Sequence, residues 1–121
     1  MHSNPAQSIE LKRRIHAQAL DAAVESIVLK AGQMPEIERI ILFGSYASGR
    51  RDLFTDLDLI VVMVSEIDFI YRTADLYTKL HTRVDMDLLV YTPEEWENNQ
   101  ENRFIRRALQ TGKVIYEKKR S

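Results

Sequence analysis

Apolar residues gather in three short runs along this chain, separated by stretches with the signals of helices. The runs lie at about residues 37–43, 56–64 and 83–91. A continuous apolar run of this length, bounded by turn residues, is typical of a strand buried on both faces. We therefore predict three strands there, followed by a short edge strand at Val114–Tyr116 and a solvated tail at Lys118–Arg120.

The longest helix is predicted at the beginning of the chain. Asn4 is placed to cap it, Pro5 suits the first helical position, and Gln7 completes a capping box. The helix should run to about Ala31, where Gly32 gives a stop signal. Its apolar positions predict one buried face, made of Ile9, Ile15, Ala19, Ala22, Ala23, Ile27 and Val28.

Further helices are predicted between and after the strands. The pair Ser65–Glu66 would cap a helix that ends near His81, and Thr92 would cap another around Trp96. A last helix spans about residues 102–109. The fold is therefore expected to be α/β (α+β), a small mixed sheet of three or four strands flanked by helices.

Composition and charge exclude several classes of protein. The chain is 45% hydrophobic and 29% charged, which is ordinary for a globular domain. Its net charge of −1 argues against nucleic acid as the main partner. The lack of cysteine excludes disulfides and thiolate metal sites. No apolar run approaches the roughly 20 residues that span a bilayer, and no signal peptide is visible, so we expect a cytoplasmic protein.

Two aspartates open the second strand and give the first candidate chemistry. Asp56 and Asp58 stand two residues apart, so their side chains share one face of the strand about 6–7 Å apart. Carboxylates this close repel each other, and burying them unpaired is costly. A divalent cation relieves that repulsion. Mg²⁺ suits the site because it commonly binds one or two carboxylates together with substrate phosphates.

The turn after the first strand is a candidate phosphate site. Gly44 permits backbone conformations closed to other residues, and Ser45 adds a hydroxyl to the free N–H groups of a helix start. The turn alone is weak evidence, but two aspartates follow it at a short distance. Arg50 and Arg51 lie between, and guanidinium groups match phosphate oxygens well. Either one of them contacts phosphate, or both are exposed arginines of a polar loop.

A second pair of acids stands on the third strand. Asp85 and Asp87 share one face there, so either could join Asp56 and Asp58, and strand alternation alone does not separate them.

These residues together resemble the signature of the polymerase-beta-like nucleotidyltransferase superfamily. The matching pattern is Gly44-Ser45-x-Ala47-x-Gly49, five residues, then Thr55-Asp56-x-Asp58-Leu59-x-Val61. From about Ile37 to Glu95 the chain is similar to the minimal nucleotidyltransferases, which include MntA-like antitoxins encoded beside HEPN-domain toxins. Thr55 stands where the family more often has Ser, and the bulky pair Leu53–Phe54 occupies a loop that is usually more polar.

The resemblance implies an organisation and a set of site residues. The length predicts one domain over residues 1–121, with an N-terminal helix at about 5–31, a catalytic core at about 37–95, and C-terminal helices with a short strand at about 96–117. By resemblance, Asp87 is the better placed third acid. The implied catalytic and metal-binding residues are Asp56, Asp58 and Asp87, and the implied nucleotide-binding residues are Gly44, Ser45, Arg50 and Arg51.

The resemblance also implies a reaction, transfer of a nucleoside monophosphate from a triphosphate, AMP from ATP, with one or two Mg²⁺ ions. Larger relatives carry a further domain that helps to hold the acceptor, so we expect a partner chain, either a second copy or another protein. In relatives paired with HEPN ribonuclease toxins, the acceptor is a tyrosine of the toxin. The alternatives are a small-molecule acceptor such as an aminoglycoside, and an antitoxin that acts by binding alone.

Overall fold

A mixed sheet of four strands forms the centre of the protein. In the computed structural model, which describes residues 4–119, the strands are β1 (Ile37–Phe43), β2 (Leu57–Met63), β3 (Met86–Tyr91) and β4 (Lys113–Glu117). Their order is β3-β2-β1-β4. Strand β1 is antiparallel to β2 and β4, whereas β2 and β3 are parallel. The predicted fold class is confirmed, and β4 lies at an edge of the sheet as expected.

Five helices accompany the sheet within the described residues. They are α1 (Pro5–Gly32), α2 (Gly44–Ala47), α3 (Phe69–Lys79), α4 (Pro93–Asn98) and α5 (Arg103–Thr111). The capping boxes predicted at Asn4 and Thr92 are both formed. Between residues 4 and 119, no helix has both the length and the apolar character needed to cross a membrane.

The two faces of the sheet are covered unequally. On one face, Leu20 and Ile27 of α1 and Leu76 of α3 pack with Leu59 and Val61 of β2 in the main core. The other face carries a smaller cluster, in which Ala108 of α5 packs on Ile41 and Ile60. Among the described residues, the short helices α4 and α5 and the start of α3 pack on this second face, where Asp87 stays exposed.

The buried face of α1 differs from the predicted one. Ile9 and Ile15 are 58% and 57% exposed. The residues that α1 does bury are Leu20, Ala23, Ile27 and Ala31. The reason is the length of the helix, because only the second half of its 28 residues packs on the sheet. The helix ends at Gly32, within one residue of the predicted end, and Gln33 follows as the cap.

Three boundaries near α3 and β3 were predicted too early or too late. Helix α3 ends at Lys79 rather than at His81, and it begins only after Asp68. The Ser65 hydroxyl instead accepts a hydrogen bond from the N–H of Ile67 at 3.1 Å, in the loop before the helix. Strand β3 begins at Met86 rather than near Arg83, because the chain bends at residues 83–84, where the Thr82 hydroxyl donates to the Val84 carbonyl at 3.0 Å. At the C-terminal tail, Lys118 and Lys119 are exposed as predicted, while Arg120 lies outside the described residues.

Candidate active site

One transverse row of side chains crosses three strands on the partly open face of the sheet. Phe43 of β1 pairs with Asp58 of β2, and Asp58 pairs in turn with Asp87 of β3. Residues directly opposite one another on neighbouring strands project to the same face. The row therefore places an aromatic ring and two carboxylates side by side.

The environment of Asp58 disfavours its charged form. Burial raises the pKa of Asp58 to about 6, aided by the negative charge of Asp87, a hydrogen bond with that carboxyl, and the charge of Asp56. Asp56 lies one residue before β2 and adds the third acid. The cluster carries more negative charge than its own polar groups balance, and a bound cation would relieve this.

Gly44 lies directly against the carboxylate of Asp58. Its φ is +78°, in the left-handed region that favours glycine. A Cβ at this position would lie 2.1 Å from Asp58 Oδ2 and 3.0 Å from its Cγ. Glycine is thus required here for its backbone conformation and for space. The close approach makes the turn and the acids one continuous site.

Ser45 presents an unused hydroxyl in this turn. Its side chain makes no hydrogen bond within residues 4–119, while its backbone carbonyl accepts one from the N–H of Arg50 at 3.0 Å. Helix α2 has only four residues, so its macrodipole is small. Any phosphate binding would rest on individual N–H groups and on this hydroxyl.

The two candidate arginines differ in their surroundings. Arg51 lies over the ring of Tyr46, 3.6 Å from its centroid, and Nη1 donates to the Tyr46 carbonyl at 2.8 Å. The Tyr46 hydroxyl donates to Asp21 of α1, and burial together with this contact raises the pKa of Tyr46 to about 12. Arg51 therefore stabilises helix α2 through its contacts with Tyr46. Arg50 is exposed, and within residues 4–119 its one ion pair is with the nearby Asp52.

The loop that leads to Asp56 is held by its own hydrogen bonds. The buried Thr55 hydroxyl donates to Asp52 Oδ1 and accepts from the Asp52 N–H, both at 3.1 Å. His16 of α1 contacts the Thr55 carbonyl through Nε2 at 2.8 Å. These contacts hold the backbone of the loop just before Asp56. The side chain of Phe54 in this loop is 84% exposed.

The structure separates the two acids of the third strand. Asp87 stands opposite Asp58 in the parallel register. Asp85 precedes β3, and its backbone carbonyl accepts a hydrogen bond from the N–H of Leu57 at 3.1 Å. Of the two, Asp87 is therefore the one that meets the carboxylate of Asp58.

The donor set suits a metal ion that needs few protein ligands. Within residues 4–119, no three His, Cys, Asp or Glu side chains are grouped as a complete metal site. Asp58 and Asp87 nevertheless stand opposite each other, and both Asp87 and Asp56 are close enough to disfavour the charge on Asp58. Mg²⁺ fits this arrangement, because it binds through one or two carboxylates and takes its remaining ligands from phosphates and water.

Sequence reasoning missed an aromatic pair beside the acids. Phe104 of α5 meets Phe43 edge to face, with ring centroids 5.7 Å apart. The sequence places Phe104 only within the last predicted helix, at about residues 102–109. No local signal identifies this pair, since it depends on the pairing of β1 with β2 and on how α5 packs.

A four-stranded mixed sheet with a glycine turn against paired acids is the arrangement of enzymes that transfer nucleotidyl groups. A family model described as "Polymerase beta, Nucleotidyltransferase" matches residues 25–121. A curated protein, "Putative protein adenylyltransferase MJ0604" of Methanocaldococcus jannaschii, is 36% identical over 90 residues, covering 73% of this chain and 87% of that protein. The chain belongs to the polymerase beta nucleotidyltransferase family.

Solved structures share the fold. A "putative nucleotidyltransferase" from Sulfolobus solfataricus superposes with a TM-score of 0.57 at 18% identity, covering 89% of this chain and 86% of that one. A chain from a crystal structure described as a toxin–antitoxin with AMP-PNP superposes with a TM-score of 0.52 at 24% identity, covering 78% and 74%.

Proposed function

We propose that this nucleotidyltransferase moves AMP from ATP, with Mg²⁺, to a hydroxyl group of a partner protein. The observation that carries the proposal is the contact between Gly44 and Asp58. It joins a candidate phosphate turn to the Asp58–Asp87 carboxylate pair. A triphosphate on the turn would bring its reacting phosphorus close to the acids.

Different residues around the turn would bind the phosphates and the metal ions. The Gly44 N–H and the free Ser45 hydroxyl would hold the terminal phosphates. Arg50, exposed on the loop, would add a charge-assisted hydrogen bond to the terminal phosphates. Arg51 would stabilise the turn without contacting the nucleotide. Asp56, Asp58 and Asp87 would hold one or two Mg²⁺ ions, which when bound neutralise phosphate charge.

The transfer step requires a base and good alignment. Asp87 would accept the proton of the acceptor hydroxyl, whose oxygen forms a bond to the α-phosphorus of ATP. The bond from that phosphorus to the bridging oxygen breaks, and pyrophosphate leaves with the electron pair. The protein contributes mainly through positioning, which for well-aligned reactants is worth several kcal/mol, roughly 7–11.

The location of Asp87 favours a large acceptor over a small one. Asp87 is exposed on β3, which is an edge strand of the sheet. Small-molecule sites are typically concave and enclose most of their ligand. A cleft of about 710 Å³ is present, but it is lined by Arg39, Val62 and Trp96, towards the opposite end of β2 from Asp58. An aminoglycoside acceptor is therefore less well supported than a protein.

A HEPN-domain toxin with an acceptor tyrosine is the partner that we propose. The sequence resemblance supports it, and so does the description of the curated relative as a protein adenylyltransferase. The structural neighbour from a toxin–antitoxin complex also supports a toxin as the partner. The protein would then act as an antitoxin through modification of the toxin.

Intact mass spectrometry of the toxin tests this proposal. The toxin is incubated with the protein, Mg²⁺ and ATP, and Asp58→Asn serves as the inactive control. A gain of one or more AMP units that the control does not produce is the expected result. An unmodified toxin in a tight complex would instead support an antitoxin that acts by binding alone.

A further inference from the structure

We infer that Phe104 and Phe43 form the surface on which the base of the nucleoside triphosphate stacks. The inference rests on the proposed function, because it assigns the base to one side of the same site. It makes Phe104 a substrate-binding residue that no sequence motif indicates.

The aromatic pair borders the site on the side of β1. Phe43 immediately precedes Gly44 and stands opposite Asp58. Phe104 extends this border outward, with its ring 5.7 Å from that of Phe43 and at 89° to it. On the other side, the row ends with Asp87 at the sheet edge. A nucleotide on the glycine turn thus has aromatic rings on one side and the open edge on the other.

Anchoring α5 does not require Phe104 to be apolar. Ile105 and Ala108 already bury the inner face of the helix, with 1% and 6% exposure, whereas Phe104 is 51% exposed. The Asn102 side chain caps the helix and accepts hydrogen bonds from the N–H groups of Phe104 and Ile105. The backbone of Phe104 is therefore fixed by the helix cap, while about half of its side chain is exposed to solvent.

The edge-to-face geometry of the pair leaves the faces of one ring unused by the other. In an edge-to-face contact, only one of the two rings uses a face. The other ring keeps its faces for a further partner, and every nucleobase has a π-face that stacks on an aromatic side chain. Loss of such a platform typically weakens base binding by about 5- to 150-fold.

Binding measurements with two probes test the inference. The affinities of ATP and of inorganic tripolyphosphate, each with Mg²⁺, are measured by calorimetry for the wild type, Phe104→Ala, Phe104→Leu and Phe104→Trp. Leu109→Ala is the matched control, because Leu109 is a 39% exposed apolar residue of the same helix. Tripolyphosphate probes the phosphate turn without a base.

The expected result is a selective loss. Phe104→Ala and Phe104→Leu should bind ATP about tenfold more weakly and tripolyphosphate within twofold of the wild type, whereas Phe104→Trp and Leu109→Ala should bind both normally. Unchanged ATP binding in Phe104→Ala, or equal losses for both probes, would overturn the stacking role and leave the proposed function standing. A wild type that binds neither probe would overturn both.

Discussion

The carboxylates of Asp58 and Asp87 face each other across the parallel strands β2 and β3, close enough for the charge of Asp87 to disfavour the charge of Asp58. Neither residue lies near the other in sequence, and the pair forms only when the two strands adopt this register. It lies against the backbone of Gly44 and at an open edge of the sheet.

Removing the charge of either residue of the first acidic pair should abolish transfer. Asp56→Asn and Asp58→Asn keep the shape of the side chain but lose the anionic oxygen that a metal ion needs. We expect turnover to fall by at least about 100-fold, the scale seen when one transition-state contact is lost. Turnover is measured as AMP incorporation, and circular dichroism reports the fold. Wild-type turnover in either variant, with the fold intact, would refute the metal assignment.

The two acids of the third strand should respond differently to the same substitution. Asp87→Asn removes the carboxylate that faces Asp58, so we expect activity to fall as it does for Asp58→Asn. Asp85→Asn changes an acid that precedes the strand, and it should keep activity within about threefold of the wild type. The two variants are compared in one transfer assay. The reverse order of activities would assign the third acid to Asp85.

In the metal-free protein, the contribution of Asp58 to stability should decrease as pH rises through the range between its unfolded and folded pKa values. That pKa is 3.8 in the unfolded chain and about 6 in the folded protein. Between these values the folded state binds more protons, so a rise in pH lowers the free energy of unfolding. Other carboxyls have lowered pKa values and act in the opposite sense, as Asp52 and Glu95 do. The contribution of Asp58 is therefore measured by difference.

Thermal melting in EDTA at pH 4.5 and pH 7 provides this difference. The melting temperature of Asp58→Asn minus that of the wild type should be larger at pH 7 than at pH 4.5. The reason is that the amide, unlike the carboxyl of Asp58, has no proton to lose. Added Mg²⁺ should raise the wild-type melting temperature at pH 7 and raise that of Asp58→Asn less. A pH dependence identical in both proteins would show that Asp58 does not titrate in this range.

Two glycines offer a matched test of the close approach to Asp58. Gly44 and Gly49 both have positive φ values, +78° and +100°. A Cβ at Gly44 meets the carboxylate, whereas one at Gly49 meets nothing within 4 Å. Each alanine variant should lose roughly 1–3 kcal/mol of stability from backbone strain. Only Gly44→Ala should also lose nucleotide binding and transfer, as measured by calorimetry and AMP incorporation. Similar activity in both variants would contradict the contact.

Substitution of the two loop arginines should have different effects, one on ATP binding and the other on stability. Arg50 is exposed, so Arg50→Ala should raise the KM for ATP several-fold without changing the melting temperature. Arg51 stacks on Tyr46, so Arg51→Ala should cost about 1 kcal/mol of stability through the lost cation–π contact. Kinetics and thermal melts of both variants provide the measurement. An unchanged KM in Arg50→Ala would remove Arg50 from the nucleotide site.

Features that depend on near neighbours along the chain could be predicted from the amino-acid sequence alone. Apolar runs closed by turn residues predicted the strands, and the capping boxes at Asn4 and Thr92 appear as expected, because each involves residues only three apart. The pattern of Gly44-Ser45 followed by Asp56 and Asp58 was enough for the family resemblance, which the comparisons confirm.

Features that depend on how distant segments meet became visible in the folded structure. Strand alternation places Asp85 and Asp87 on one face, but the register of β2 and β3 selects Asp87 as the partner of Asp58. The packing of α1 left Ile9 and Ile15 in solvent, and that of α5 brought Phe104 to Phe43. Register and packing minimise the free energy of the whole core, so no local pattern along the chain contains them.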